Sequence, residues 1–295
     1  MKKLQLFWDS LKQTAKTWND TDLFRESASI AYYAIFSIPG LLIIIMWVSG
    51  FIIGEDAVKG EISDQISSTV GNDAAKSIQE IVANVFVDNQ NIFMKIIGIF
   101  SLVFGATTLF FQLQVTLNNI WKIEAAPKKA IFKFLLNRAN SLGMILVIGF
   151  LMIITTTLSS FISFFNNYIT KSFGLETYYL MQAINFSVGF LLTVFIFAFM
   201  FKVLPDIKIK WKSVIPGAFL TALLFTIGKF LLNYYFVSFK PASAFGTAGT
   251  IILIMMWVNY SCVLFFLGAL FTKNYSLLSG DTIEPTRFAK WKESC

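Results

Sequence analysis

Six long apolar stretches run through the chain, at about 28–53, 96–117, 139–162, 185–203, 213–237 and 247–271, with polar segments between them. All but the fourth reach the roughly 20 helical residues that cross an apolar bilayer core of about 30 Å, and the fourth falls just short. Lipid does not tolerate an open strand edge, so all six are predicted to be helices. The expected fold is an all-α membrane protein, a six-transmembrane-helix bundle over 28–271. A cytoplasmic amphipathic segment (1–27) precedes it and a cytoplasmic tail (272–295) follows.

In the first segment Leu4, Phe7, Trp8, Leu11, Ala15 and Trp18 recur at helical spacing, with Lys3, Lys12 and Lys16 among the rest. This predicts an N-terminal amphipathic helix, lying on the membrane surface or packed against the ends of the bundle. No uninterrupted apolar run like that of a signal peptide precedes span one, which is expected to stay as an anchor. Residues 54–95 show a third pattern. Ile62, Ile66 and Val70 recur every four residues, as do Ile78, Val82 and Phe86, and Gly71-Asn72-Asp73 interrupts the two runs. Seven acidic residues lie among them, from Glu55 to Asp88. The pattern predicts an acidic, extracytoplasmic helical hairpin between spans one and two, either a cover for the outer mouth or a solvated packing element.

The last two spans flank the link SFKPASAFG (238–246), whose Pro241 and Gly246, with Gly249 just beyond, argue against an unbroken helix. Pro39, in YYAIFSIPG (32–40), is expected to kink span one and free a carbonyl near Ile35.

Composition agrees with the pattern. The chain is 56% hydrophobic and 14% charged, with mean hydropathy +0.67, too apolar for one soluble core. The net charge of +7 is a topology signal once its location is read. The segments before span one, between two and three, around the four-to-five connection and after six hold 5, 5, 4 and 4 of the 24 Lys and Arg residues. The opposite-side segments hold Lys59, Lys76, Lys171 and Lys240. That bias predicts both termini in the cytoplasm of a bacterial plasma membrane, with the lysines meeting anionic lipid and no nucleic acid.

The enzyme reading fares badly. The chain has no His, so no His-based triad and no HExxH zinc site can be built. The six spans hold no Asp or Glu, which removes an intramembrane carboxylate pair. Gly228-Lys229 is followed by Phe230 and is no phosphate loop. Cys262 and Cys295 form no metal spacing and no disulfide framework. No catalytic residue, cofactor or metal is expected.

Lys229 is the one formal charge well inside an apolar segment, roughly 24 Å along a helix from Ser213. It either snorkels to the outer interface or faces a polar cavity and attracts an anionic group. Ala218, Ala222 and Thr226 repeat every four residues, the small-residue pattern of close helix packing, and Lys229 borders that face. Near the inner end of span two gather Gln112, Gln114, Thr116, Asn118 and Asn119, read as a helix terminus or as a cytoplasmic gate. The candidate substrate pathway is therefore Lys229, Pro39, Thr226, Asn233, Gly246, Gly249, Gln114 and Asn118. The spans divide three plus three, which permits halves of opposite orientation, although no internal repeat is visible.

Several segments together resemble the YihY/BrkB family of bacterial inner-membrane proteins, often labelled virulence factor BrkB. They are AYYAIFSIPGLL (31–42), FGATTLFFQLQVTLNNIW (104–121), LPDIKIKWKSVIPGAFLTALLF (204–225), GKFLLNYY (228–235), AFGTAGTIILIMMWVNYS (244–261) and FFLGALF (265–271). Where the family often has an acidic residue after Gly-Ala, this chain has Leu270. The resemblance implies a six-helix inner-membrane fold and leaves the activity open. The label ribonuclease BN, carried by some members, is opposed by the missing His and by the short loops.

Two functional readings follow. The first is a transporter or flippase-like protein for an amphiphilic or anionic substrate, with membrane lipids as partners. The alternative is a non-transporting membrane scaffold whose hairpin or tail binds an envelope-assembly partner.

Overall fold

The computed structural model describes residues 2–36, 92–125, 175–239, 249–286 and 289–292. In chain order these hold helix α1 (Lys2–Thr17), a 3₁₀ turn (Trp18–Asp20), helix α2 (23–36), helix α3 (Ile92–Ile120) and strand β1 (Ile123–Ala125). Then come α4 (Leu175–Val203), β2 (Ile207–Lys208), α5 (Trp211–Phe239), α6 (Gly249–Leu278), β3 (Glu284–Pro285) and β4 (Ala289–Trp291). The hairpin expected over 54–95 falls outside the described residues except for its last four, which open α3. Pro39, span three (139–162), Lys240 and Gly246 are also outside them.

The helices outrun the apolar stretches that announced them. The fourth span, expected over 185–203, begins ten residues earlier, at Leu175. Its lead-in LETYYLMQAI intersperses Glu176, Thr177 and Gln182 among apolar residues, so hydropathy alone does not register it. The sixth runs past 271 to Leu278. Among the described residues three helices are long and apolar enough to cross a membrane, at Gln182–Val203, Trp211–Phe236 and Ile251–Leu278. At about 1.5 Å per residue, helices of 29 and 30 residues exceed the bilayer core and leave polar ends beyond it.

The chain forms two compact units. One comprises 1–18, 117–226 and 267–295, and the other 19–116 and 227–266. In the first, α5 and α6 meet through reciprocal notches. The hydroxyl of Thr272 fills the space where Gly217 lacks a side chain, and that of Thr221 fills the space at Gly268. Each threonine also donates to the carbonyl four residues back, Thr221 to Gly217 at 2.7 Å and Thr272 to Gly268 at 2.8 Å. Neither of these two hydroxyls is thereby left bare in an apolar setting. Ala218 and Ala222 are fully buried beside these notches, as the small-residue spacing predicted.

The same unit laces its chain end back onto two connections. Helix α6 stops at Gly280, whose φ of +70° suits a residue without Cβ. Asp281 N–H bonds Ser276 O and Gly280 N–H bonds Leu277 O, the paired closure of a glycine-terminated helix. The following residues pair antiparallel as β3 with β2 and β4 with β1. Helix α1 joins this unit through Phe7, whose ring centroid lies 5.1 Å from that of Phe271, and through Asn274, which donates to Thr14 and Thr17. Of the two placements expected for α1, packing against a span end is therefore present.

In the second unit Phe236 and Leu253 are buried together, with Leu232, Tyr235, Ile254, Met256 and Trp257 packed around them. Tyr260 occupies the space at Gly228, where an added Cβ would stand 2.2 Å from its hydroxyl oxygen.

Candidate functional site

Lys229 sits on α5 directly after Gly228, the residue that seats Tyr260. Its own side chain is exposed, and it makes no hydrogen bond or ion pair among the described residues. Asn233, one turn further along, is exposed too, as are the neighbouring large side chains Phe230 and Tyr234. An ammonium on a membrane-length helix can snorkel to the interface, donate to a backbone carbonyl, or pair with a phosphate, carboxylate or other anion. Thr226 turns its hydroxyl back to Ala222 O at 2.7 Å and is half-buried. Gly249 is buried at the first position of α6.

The polar residues near the end of α3 are divided between separate tasks. In the second unit Glu26 Oε2 accepts from Gln112 Nε2 at 3.2 Å and from Thr116 Oγ1 at 3.0 Å. Its other oxygen lies 3.6 Å from the largely exposed Arg25. This carboxylate thus joins α2 to α3 at the start of span one. Gln114 is half-buried in the same unit. In the first unit Asn118 makes a two-way pair with Asp206. Its amide donates to Asp206 Oδ2 at 2.8 Å and its carbonyl accepts from Asp206 N–H at 2.9 Å. Asp206 O in turn accepts from Thr286 N–H at 2.9 Å, so α3, the 204–210 connection and the chain end form one chain of bonds.

A second tie closes beside it. Gly280 turns the backbone so that Asp281 reaches the first turn of α5, where it accepts from Ser213 Oγ and pairs with Lys210 Nζ at 3.0 Å. The hydroxyl donation, aided by the lysine and opposed by burial, holds this carboxyl below the usual carboxylate range. The amino end of α5 is also the favourable end for a negative charge. Lys273 Nζ donates to Ile120 O at 2.8 Å and covers a terminal carbonyl of α3.

Among the described residues of the second unit, Ser27 Oγ, Asn259 Oδ1 and Ser261 Oγ are buried without a hydrogen-bond partner. Asn259 and Ser261 lie well inside the membrane-length part of α6. Sequence reasoning passed over this run, although Asn-Tyr-Ser between apolar residues (259–261) was the available signal. It also passed over Glu26 as the partner of Gln112 and Thr116, which are 86 and 90 residues away. Among the described residues no three of His, Cys, Asp and Glu come together as a metal-ligand group.

Apolar helices of this length, tied at their ends by polar links, define an integral, helical membrane protein. The profile of the family described as Virulence factor BrkB matches residues 14–287, and the chain belongs to that family. It is similar to a UPF0761 membrane protein of Haemophilus influenzae strain 86-028NP, 28% identical over 267 residues that cover 90% of this chain and 91% of the relative. A UPF0761 membrane protein of Haemophilus influenzae strain Rd is 31% identical over 215 residues, 72% of this chain and 74% of the relative. One from Histophilus somni strain 2336 is 28% identical over 221 residues, 72% and 71% of the two chains. No solved structure matches the chain.

Proposed function

We propose that this protein is a transporter or flippase-like protein for an amphiphilic or anionic substrate, a six-span bundle with an outer hairpin in a bacterial inner membrane. Both termini lie in the cytoplasm, membrane lipids are its partners, and it is neither an enzyme nor a nucleic-acid binder. The observation that carries the reading is Lys229, an exposed cation without a partner among the described residues, inside the span-length segment Trp211–Phe236. An unpaired charge at that depth is costly and calls for an anion. The unpartnered atoms of Asn259 and Ser261 add to it, since buried polar groups inside a span call for water or a polar ligand.

The alternative is a non-transporting membrane scaffold whose outer hairpin or tail binds an envelope-assembly partner. In its described residues the tail is paired in β3 and β4 and tied at Asp281, while Thr282, Glu284, Lys290 and Trp291 stay exposed. The test is mass spectrometry of lipids and metabolites retained by the purified protein, against bulk membrane and against Lys229→Met. One anionic species enriched in the native protein and lost in the variant is the expected result, with Lys240→Met retaining it. A retained profile equal to bulk membrane in all three proteins would overturn the reading.

A further inference from the structure

Helix α1 carries two different surfaces, and among the described residues only one is packed against the rest of the protein. The inward surface is polar. Ser10 and Thr14 are buried, and their hydroxyls donate to Leu6 O at 2.6 Å and Ser10 O at 2.7 Å. Thr14 and Thr17 also receive the amide of Asn274 at 3.1 and 3.2 Å. Beside them Phe7 meets Phe271, inside the apolar segment Ile251–Leu278 of α6. The flank next to this surface is apolar and open, with Leu4 66% and Trp8 54% exposed. At about 100° per residue Leu4, Trp8, Leu11 and Ala15 fall within roughly 60° of one another. They are centred roughly 110° round from Ser10 and Thr14. Lys12 and Lys16, both exposed, follow about 40° and 80° beyond Trp8. The acidic Asp9, also exposed, lies still further round.

An amphipathic helix normally turns its hydroxyls to water and its leucines to the protein. Here the hydroxyls face the protein, and the tryptophan and leucine face out, edged by lysines. That order suits an interface that is apolar on one side and anionic on the next: the edge of a bilayer, with acyl chains below and phosphates level with the lysines. Phe7 on Phe271 fixes α1 at the end of a spanning helix, where such an edge lies. We infer that α1 is a membrane-surface foot whose Leu4–Trp8 flank inserts among acyl chains while Lys12 and Lys16 bind the headgroups of anionic phospholipid.

The test places a nitroxide at Trp8→Cys or Gln13→Cys in full-length protein carrying Cys262→Ala and Cys295→Ala. The protein is held in nanodiscs of phosphatidylcholine, with or without phosphatidylglycerol. Collisions with oxygen report lipid immersion and collisions with a water-soluble nickel chelate report aqueous exposure. The label at 8 should collide with oxygen and be sheltered from nickel, and the label at 13 should do the reverse. Phosphatidylglycerol should deepen the label at 8, and Lys12→Gln with Lys16→Gln should shift that lipid-dependent equilibrium by about tenfold or more. Free access of nickel to position 8 overturns the foot. Shelter from both reagents also overturns it, because the flank is then covered by protein, such as a second copy. Equal immersion in both lipids, unchanged in the lysine variant, overturns the anionic-headgroup assignment.

Discussion

Replacing Gly268 by alanine tests how closely α5 and α6 are fitted. A Cβ built there would stand 1.7 Å from Thr221 Oγ1, 2.9 Å from Thr221 Cβ and 3.1 Å from Phe201 Cζ. Non-bonded atoms rest about 3.5–4.0 Å apart, so the nearest pair is short by roughly 2 Å. Thr221 cannot swing clear. It is fully buried, its hydroxyl is bound to Gly217 O, and rotation about χ1 would bring its methyl group towards the same space. The helices must part, and in a bilayer nothing but packing and hydrogen bonding holds them together. Overpacking of this kind costs about 1–3 kcal/mol. Reversible unfolding in bicelles, followed by steric trapping, would measure it. Gly189→Ala is the internal control, because nothing lies within 4 Å of its added Cβ. That variant should gain about 0.5–1 kcal/mol from helix propensity alone. Thr221→Ala in the Gly268→Ala background should recover part of the loss, with a coupling of at least about 0.5 kcal/mol. If Gly268→Ala were as stable as Gly189→Ala, the reciprocal notch would not exist and the argument from close packing would fail.

Other outcomes follow from the same contacts. Asp281 is held below the usual carboxylate range when folded, so its tie to Ser213 and Lys210 is fully present above the unfolded carboxylate pKa. The contribution fades as pH falls through the folded value. Thermal unfolding of the native protein should therefore lose stability on strong acidification, and Asp281→Asn should be less stable near neutrality and lose less on acidification. Glu26→Ala removes the acceptor of Gln112 and Thr116 and should cost about 1–3 kcal/mol, with Glu26→Gln milder because it keeps one acceptor oxygen. Asn118→Ala strands the Asp206 amide and should cost a similar amount, about 1–3 kcal/mol. Hydrogen exchange should show its Thr286 amide opening faster, which an unchanged Thr286 would contradict.

Membrane class and helical state were legible in the sequence, because lipid offers no partner for a backbone polar group and an apolar run of span length has one solution. The run 213–237 accordingly falls within α5, and the described part of 247–271 lies in α6, which continues to Leu278. Ala218 and Ala222, small residues four positions apart on one face, are fully buried, while the close contact with α6 runs through Gly217 and Thr221. Lys229 stood out by its charge alone. Tertiary structure decided which residues meet. Glu26 lies 86 residues from Gln112, Asn118 lies 88 from Asp206, and Asp281 lies 68 from Ser213, and no local period encodes such pairs. The polar tail (272–295) offered no local period from which its pairing could be read. It is woven in because Gly280 turns the backbone toward the amino end of α5, and the residues beyond find strand partners in two loops. The direction of α1 was open for the same reason. Its leucines and hydroxyls define two faces, and only the neighbouring Phe271 and Asn274 determine which one turns inward.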